Sequence, residues 1–171
     1  LIVGLEENNF EVERFQIIAQ TGWTTGNLIT AVNESEIGEF DLVSLLIGVN
    51  NQFQNLDFSV FTNQFNQLLD TAIQIANGKD GVFVVSIPDY GVTPFGSANA
   101  EQIGAELDEY NAYIASRCQS EGITFINITE ISRELGDSPG ALAADDLHPS
   151  GAQYQAWVEA ILPRTLELLS K

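Results

Sequence analysis

Asp41-Leu42-Val43-Ser44-Leu45-Leu46-Ile47-Gly48-Val49-Asn50-Asn51 is the stretch that decides the fold. Leu42 to Ile47 is apolar apart from Ser44 and too short for a buried helix. It reads as the strongest strand of the chain, covered on both faces, as a central strand of a parallel sheet is. Gly48 to Asn51 ends it in a polar turn. Upstream, Phe15 to Ala19 reads as a second short buried strand, followed by the loop Thr21-Gly22-Trp23-Thr24-Thr25 and a short helix to about Val32. Downstream, Asp57 suits an N-cap, and Phe58, Phe61, Phe65, Leu68, Leu69, Ala72, Ile73 and Ala76 recur at spacings of three and four. That spacing predicts a long amphipathic helix, closed by Asn77-Gly78.

The alternation continues. Val82 to Ser86 is a strand ending at Pro88-Asp89-Tyr90-Gly91, and a helix carries Ile103, Leu107, Tyr110, Ile114 and Cys118 and stops at Gly122. Ile123 to Asn127 is the last strand. A polar loop with Gly136, Pro139 and Gly140 then leads to a terminal helix that buries Tyr154, Trp157, Val158, Ile161, Leu162, Leu166 and Leu169, with a kink expected at Pro163. Strand, helix, strand, helix without hairpin signals predicts a three-layer α/β/α domain, flavodoxin-like, around a parallel sheet. No linker or repeat divides residues 1–171, so one domain is expected. Leu1 to Asn9 reads as the closing turns of a helix that began upstream, and the sequence contains no methionine, so this domain is expected to be N-terminally incomplete.

Composition narrows the function. In 171 residues, hydrophobic residues make up 44% and charged ones 18%, as in globular proteins. A formal charge of −18 repels phosphate backbones and anionic membrane surfaces, which excludes nucleic acid as a partner. No apolar run approaches the ~20 residues of a membrane span. A single cysteine, Cys118, rules out an internal disulfide framework and a cysteine-based metal site. The acidity and scarce cysteine lean toward a secreted or periplasmic protein. Nothing in the sequence marks a partner protein.

The chemistry collects in loops. His148, the only histidine, stands in Asp145-Asp146-Leu147-His148-Pro149-Ser150, with Asp145 three residues before it and Ser150 placed to cap the terminal helix. A carboxylate beside a loop histidine takes the proton on one ring nitrogen and leaves the other free to accept, which suits acid–base work; an exposed histidine among acids is the plainer alternative. In open parallel sheets ligands bind beyond the C-terminal strand ends. Gly22, Asn50, Asp89-Tyr90 and His148 each follow a strand at that edge. Asn50 is either a turn former or a side-chain N–H donor for a developing oxyanion. Gly22 is either a residue needing positive φ or a bare backbone N–H aimed at the same oxyanion. Trp23 reads as packing, and Asp89 and Tyr90 as pocket lining or loop.

Taken together, Thr21-Gly22-Trp23-Thr24-Thr25, Gly48-Val49-Asn50-Asn51 and Asp145-x-x-His148-Pro149 resemble blocks II, III and V of the SGNH (GDSL-type) hydrolases, in the same order and over essentially the whole chain. The resemblance implies a serine esterase or lipase that acts on small-molecule esters without metal or cofactor. It implies that His148 is the general base, Asp145 its orienting partner, and Gly22 and Asn50 the oxyanion hole. Two positions depart from the pattern. Asn51 stands where the family has aspartate, with a small effect expected because Asn50 is kept. Block I, the Gly-Asp-Ser segment with the nucleophile, is absent from residues 1–171, and with it the first, central strand of a 2-1-3-4-5 sheet. Gly136-Asp137-Ser138 matches that segment in letters only, because it follows no strand and opens no helix. The competing expectation is a non-catalytic flavodoxin-like module that binds a ligand or partner.

Overall fold

The computed structural model describes residues 1–171 as a mixed α/β fold. Three short strands, β1 (Val43–Leu45), β2 (Val82–Val85) and β3 (Thr124–Ile126), form a parallel sheet in the order β1-β2-β3. Val43 pairs with Val82 and Leu45 with Val84; Phe83 pairs with Thr124 and Val85 with Ile126. Seven α-helices flank it: α1 (Ile2–Glu7), α2 (Thr25–Glu34), α3 (Val49–Phe53), α4 (Phe58–Ile75), α5 (Ala100–Glu121), α6 (Thr129–Leu135) and α7 (Gly151–Leu169). No helix is long and apolar enough to cross a membrane.

The expected parallel order is borne out, but the centre of the described sheet is β2. Its four residues are all buried and alternate between two cores. Val82 and Val84 face Phe61, Phe65 and Leu69 of α4 and Leu107 and Ile114 of α5. Phe83 and Val85 face Ile126, Ile128 and, on α7, Trp157 and Leu168. A strand's period of two makes this division unavoidable once helices cover both faces. β1, expected to be central, is only three residues long, and Leu46 beyond it is exposed.

Phe15 to Ala19, read as a strand, is not one. Residues 10–20 form no regular structure, and Phe15 and Ile17 are exposed. The reason is that an extended segment becomes a strand only by pairing, and residues 10–18 lie across an apolar slot from β1 rather than against it. The slot has a volume of about 1050 Å³ and reaches from Phe10–Ile18 on one side to Leu42–Leu46 on the other. Leu28, Val32, Leu68 and Ala72 of α2 and α4 close one face; Ile2, Leu5 and Leu169 of α1 and α7 close the opposite one.

Three smaller expectations also change. The loop after β3 contains α6, whose Thr129 and Ser132 turn polar groups inward, so its stripe was not hydrophobic enough to show. The terminal helix, α7, continues through Pro163 to Leu169, with Trp157 before the proline and Thr165 and Leu168 after it buried. Tyr154, expected in the core, is exposed and packs edge-on against Trp157 at 4.8 Å.

Gly48 starts α3 with φ of +126°, and a Cβ there would lie 2.6 Å from Phe61 and 2.8 Å from Ile87. Both ring and side chain are fully buried and cannot retreat. Gly48→Ala should therefore lower the unfolding free energy by about 2–3 kcal/mol, combining strained backbone with overpacking, as measured by urea denaturation.

Candidate active site

The histidine loop is a small hairpin. Leu142 and Pro149 form an antiparallel bridge, Ser150 N–H donates to Ala141 O at 2.9 Å, and Ala143 N–H donates to His148 O at 2.8 Å. Ser150 joins loop to helix: its hydroxyl accepts Ala152 N–H and Gln153 N–H at the start of α7 and donates to Gly140 O. Inside this frame the Asp145 carboxylate turns back on the chain. One oxygen accepts Leu147 N–H at 3.1 Å and His148 N–H at 2.9 Å; the other meets His148 Nδ1 at 2.6 Å. The carboxylate thus draws the ring proton to Nδ1 and leaves Nε2 free to accept. The ring is about half exposed, at 55% of its side-chain surface.

The loop after residue 20 and α3 form a second assembly. Gly22 has φ of +84° and opens onto free space, and its N–H donates to no protein acceptor. Trp23 O accepts Asn50 Nδ2 at 3.0 Å, and Gly22 O accepts Gln54 Nε2 at 3.3 Å. Asn50 lies in the first turn of α3, not in the loop expected after the strand. One of its amide hydrogens is spent on Trp23; the other remains for a ligand. Thr24 caps α2 through a reciprocal bond with Asn27.

Asn51 does more than fill the aspartate's place. It is fully buried; its Oδ1 accepts Thr25 N–H at 2.9 Å and its Nδ2 donates to Thr25 Oγ1 at 2.7 Å. Thr25 Oγ1 passes its own hydrogen to Gln64 Oε1 at 2.6 Å. This amide ties α2, α3 and α4 together directly behind Gly22 and Asn50.

A single cleft of about 520 Å³ brings together Gly22, Asn50 and His148, along with Trp23, Asp89 and Tyr90. Asp145, behind the ring, does not line it. Asp89 serves the scaffold: it is buried, caps the turn at Gly91, and pairs with Arg133 Nε at 2.9 Å. Ser132, the cleft's buried serine, is committed as well, accepting Asp89 N–H and donating to Thr129 O. Ser138 is not among the lining residues. The sequence reading missed Phe53, Phe95, Leu147 and Tyr154 in the lining. Phe53 follows Asn50 by three residues, the spacing that shares a helix face, and that was the available signal.

A family model of the GDSL-like lipase/acylhydrolase family matches residues 5–156. Among solved structures, a GDSL-like lipase from Bacteroides thetaiotaomicron superposes with a TM-score of 0.62 at 17% identity, over 85% of this chain and 72% of that one. An acetylxylan esterase from Geobacillus stearothermophilus superposes at 0.64 with 20% identity, over 84% of this chain and 68% of that one. An alpha/beta hydrolase from the metagenome of Lake Arreo superposes at 0.64 with 20% identity, over 86% and 70%. At these identities the likeness is one of fold. No curated protein matches the chain.

The hydrogen bonds to Asp145, the His148 backbone N–H foremost, hold its carboxyl at about 2, below its ordinary 3.8. A depressed carboxyl stabilises the loop above its unfolded value and loses that contribution as pH falls through the folded one. Carboxyl-carbon NMR should therefore show Asp145 ionised down to about pH 3 and titrating near 2. Titration at the ordinary value would mean that the backbone bonds do not form in solution.

Proposed function

The chain belongs to the GDSL-like lipase/acylhydrolase family, whose members hydrolyse small-molecule esters, and on that premise we propose that it cleaves carboxylic esters by an acyl-enzyme route, with His148 as base and Asp145 as its orienting partner. The observation that carries this reading is the 2.6 Å contact of Asp145 with His148 Nδ1 beside a cleft that also receives Gly22 and Asn50.

In this reading a serine hydroxyl attacks the ester carbonyl while His148 Nε2 takes its proton. The tetrahedral oxyanion accepts hydrogen bonds from Gly22 N–H and from the free hydrogen of Asn50 Nδ2. Collapse breaks the bond to the alcohol oxygen, which leaves with the proton from His148. Water, deprotonated by the same imidazole, then attacks the acyl-serine, and the acid departs as the serine is restored.

The nucleophile is not assigned to a serine of residues 1–171, since Ser132 is fully engaged and Ser138 lies off the cleft. We assign it to a strand seated in the apolar slot beside β1 and supplied from outside residues 1–171, completing one domain with them. Slot and cleft adjoin, sharing Ile18, Leu28 and Leu46. A strand parallel to β1 would bring its C-terminal end to that junction, at the edge where parallel sheets bind ligands. Fluorophosphonate labelling with mass mapping tests this. Modification should fall on a serine outside residues 1–171; stoichiometric labelling of Ser138 would overturn the assignment.

His148→Ala should abolish ester hydrolysis with little change in Tm, since the ring is exposed and loop-borne. Asn50→Ala should lower kcat by about 10²–10³ with a smaller change in KM, the mark of a lost oxyanion donor. A rise in KM alone would make Asn50 a substrate contact.

A further inference from the structure

One wall of the cleft is built from three aromatic rings. Phe53 of α3 meets Tyr90 edge-on at 6.0 Å and Phe95 at 5.9 Å, and Tyr90 and Phe95 are 6.5 Å apart. Phe53 and Phe95 are 48% and 54% exposed, an unusual surface for two large apolar side chains in contact.

The wall is rigid. Tyr90 Oη donates to Gln52 Oε1 at 2.8 Å, and burial raises the phenol above its ordinary range, so it remains a donor. Gln52 in turn donates to Glu106. Phe95 rides on successive turns, in which Thr93 N–H donates to Tyr90 O and Gly96 N–H to Thr93 O. Rings held in place before a ligand arrives lose little freedom on binding it.

The polar groups along this wall are already occupied. Tyr90 Oη is held by Gln52; Asp89 by Arg133 and Gly91 N–H; Thr93 Oγ1 by Tyr90 O and Gly96 N–H; Ser132 Oγ by Asp89 N–H and Thr129 O. Along the aromatic wall a sugar hydroxyl meets groups that are already engaged with one another, so this wall favours an apolar group over a hydroxylated one. No lysine or arginine lines the cleft, and the net charge is −18, so an anionic substrate finds no counter-ion. On the histidine side Leu147, Pro149 and Tyr154 add further apolar surface.

We propose that Phe53, Tyr90 and Phe95 form a preformed platform for an apolar group, making the substrates uncharged esters with an aromatic ring or a medium-length alkyl chain and not acetylated sugars or anionic esters. This rests on the ester-hydrolase reading above and adds the class of ester.

The test measures kcat/KM by pH-stat for ethyl acetate, ethyl hexanoate and an acetylated xylo-oligosaccharide, using the protein, Phe53→Ala and Phe95→Ala. Ethyl hexanoate should exceed ethyl acetate by at least about tenfold, and each substitution should cut that ratio by about fivefold or more. Phe95 is exposed enough that its variant should fold even if Phe53→Ala does not. In parallel, binding of 4-phenyl-2-butanone, uncharged and inert to hydrolysis, is followed through the fluorescence of Trp23 in the cleft. Its affinity should fall about tenfold in the Phe95 variant. Ketone binding with that loss, in a protein that cleaves no ester, would support the platform and refute the catalytic reading. Hydrolysis with a chain-length ratio unmoved by both substitutions, or a preference for the acetylated sugar, would overturn the platform, as would ketone binding indifferent to Phe95.

Discussion

The buried amide of Asn51 is the constraint on which the proposed oxyanion donors depend. Its oxygen and nitrogen both engage Thr25, and Thr25 engages Gln64. A fully buried amide must satisfy its oxygen and its N–H groups, and leaving either bare costs about 1–3 kcal/mol, so the arrangement has little freedom to slip. Because Thr25 begins α2 and Asn51 lies in the first turns of α3, the bond sets the distance between the Gly22 loop and Asn50. Asn50 to Trp23 O and Gln54 to Gly22 O then fasten the loop from the other side. A carboxylate at position 51 could accept from Thr25 but would bury a charge. The amide makes both bonds uncharged.

The histidine side is organised differently. There the framework is local: a bridge between Leu142 and Pro149, a helix cap by Ser150, and a carboxylate reaching only three residues ahead. Asp145 and His148 meet through contacts that span only three residues of chain. What the fold adds is position. α7 carries Trp157 and Leu168 into the core around Phe83 and Val85, and that docking holds the loop at the same sheet edge as Asn50.

The slot beside β1 gives the proposed nucleophile its physical argument. Apolar side chains from α2 and α4 on one face and from α1 and α7 on the other converge there without a strand between them. This is the observation from which a further strand beside β1 is proposed. Phe10 to Ile18 is irregular and Leu46 is exposed along the same slot.

Local chemistry made much of this protein legible. The 3.6-residue stripes of α4 and α5, the stops at Asn77-Gly78 and Gly122, and the apolar run of β2 follow from propensities and caps that act within a few residues. The Asp145–His148 contact was legible for the same reason, since its partners lie within one turn of chain. α6 was not, because its buried Thr129 and Ser132 pair with Ser86, Ile87 and Asp89, far away in sequence. Nor was the proposed aromatic platform: Tyr90 read as pocket lining or loop, and nothing local places Phe53 and Phe95 against it. The sequence by itself determined the order and type of most elements, the parallel sheet and the histidine pair, because these depend on short-range periodicity and hydrogen bonds. Only the tertiary structure decided that Phe15 to Ala19 is no strand, that Asn51 is a buried clamp and that three rings face the cleft, because pairing, burial and exposure are set by residues distant in the chain.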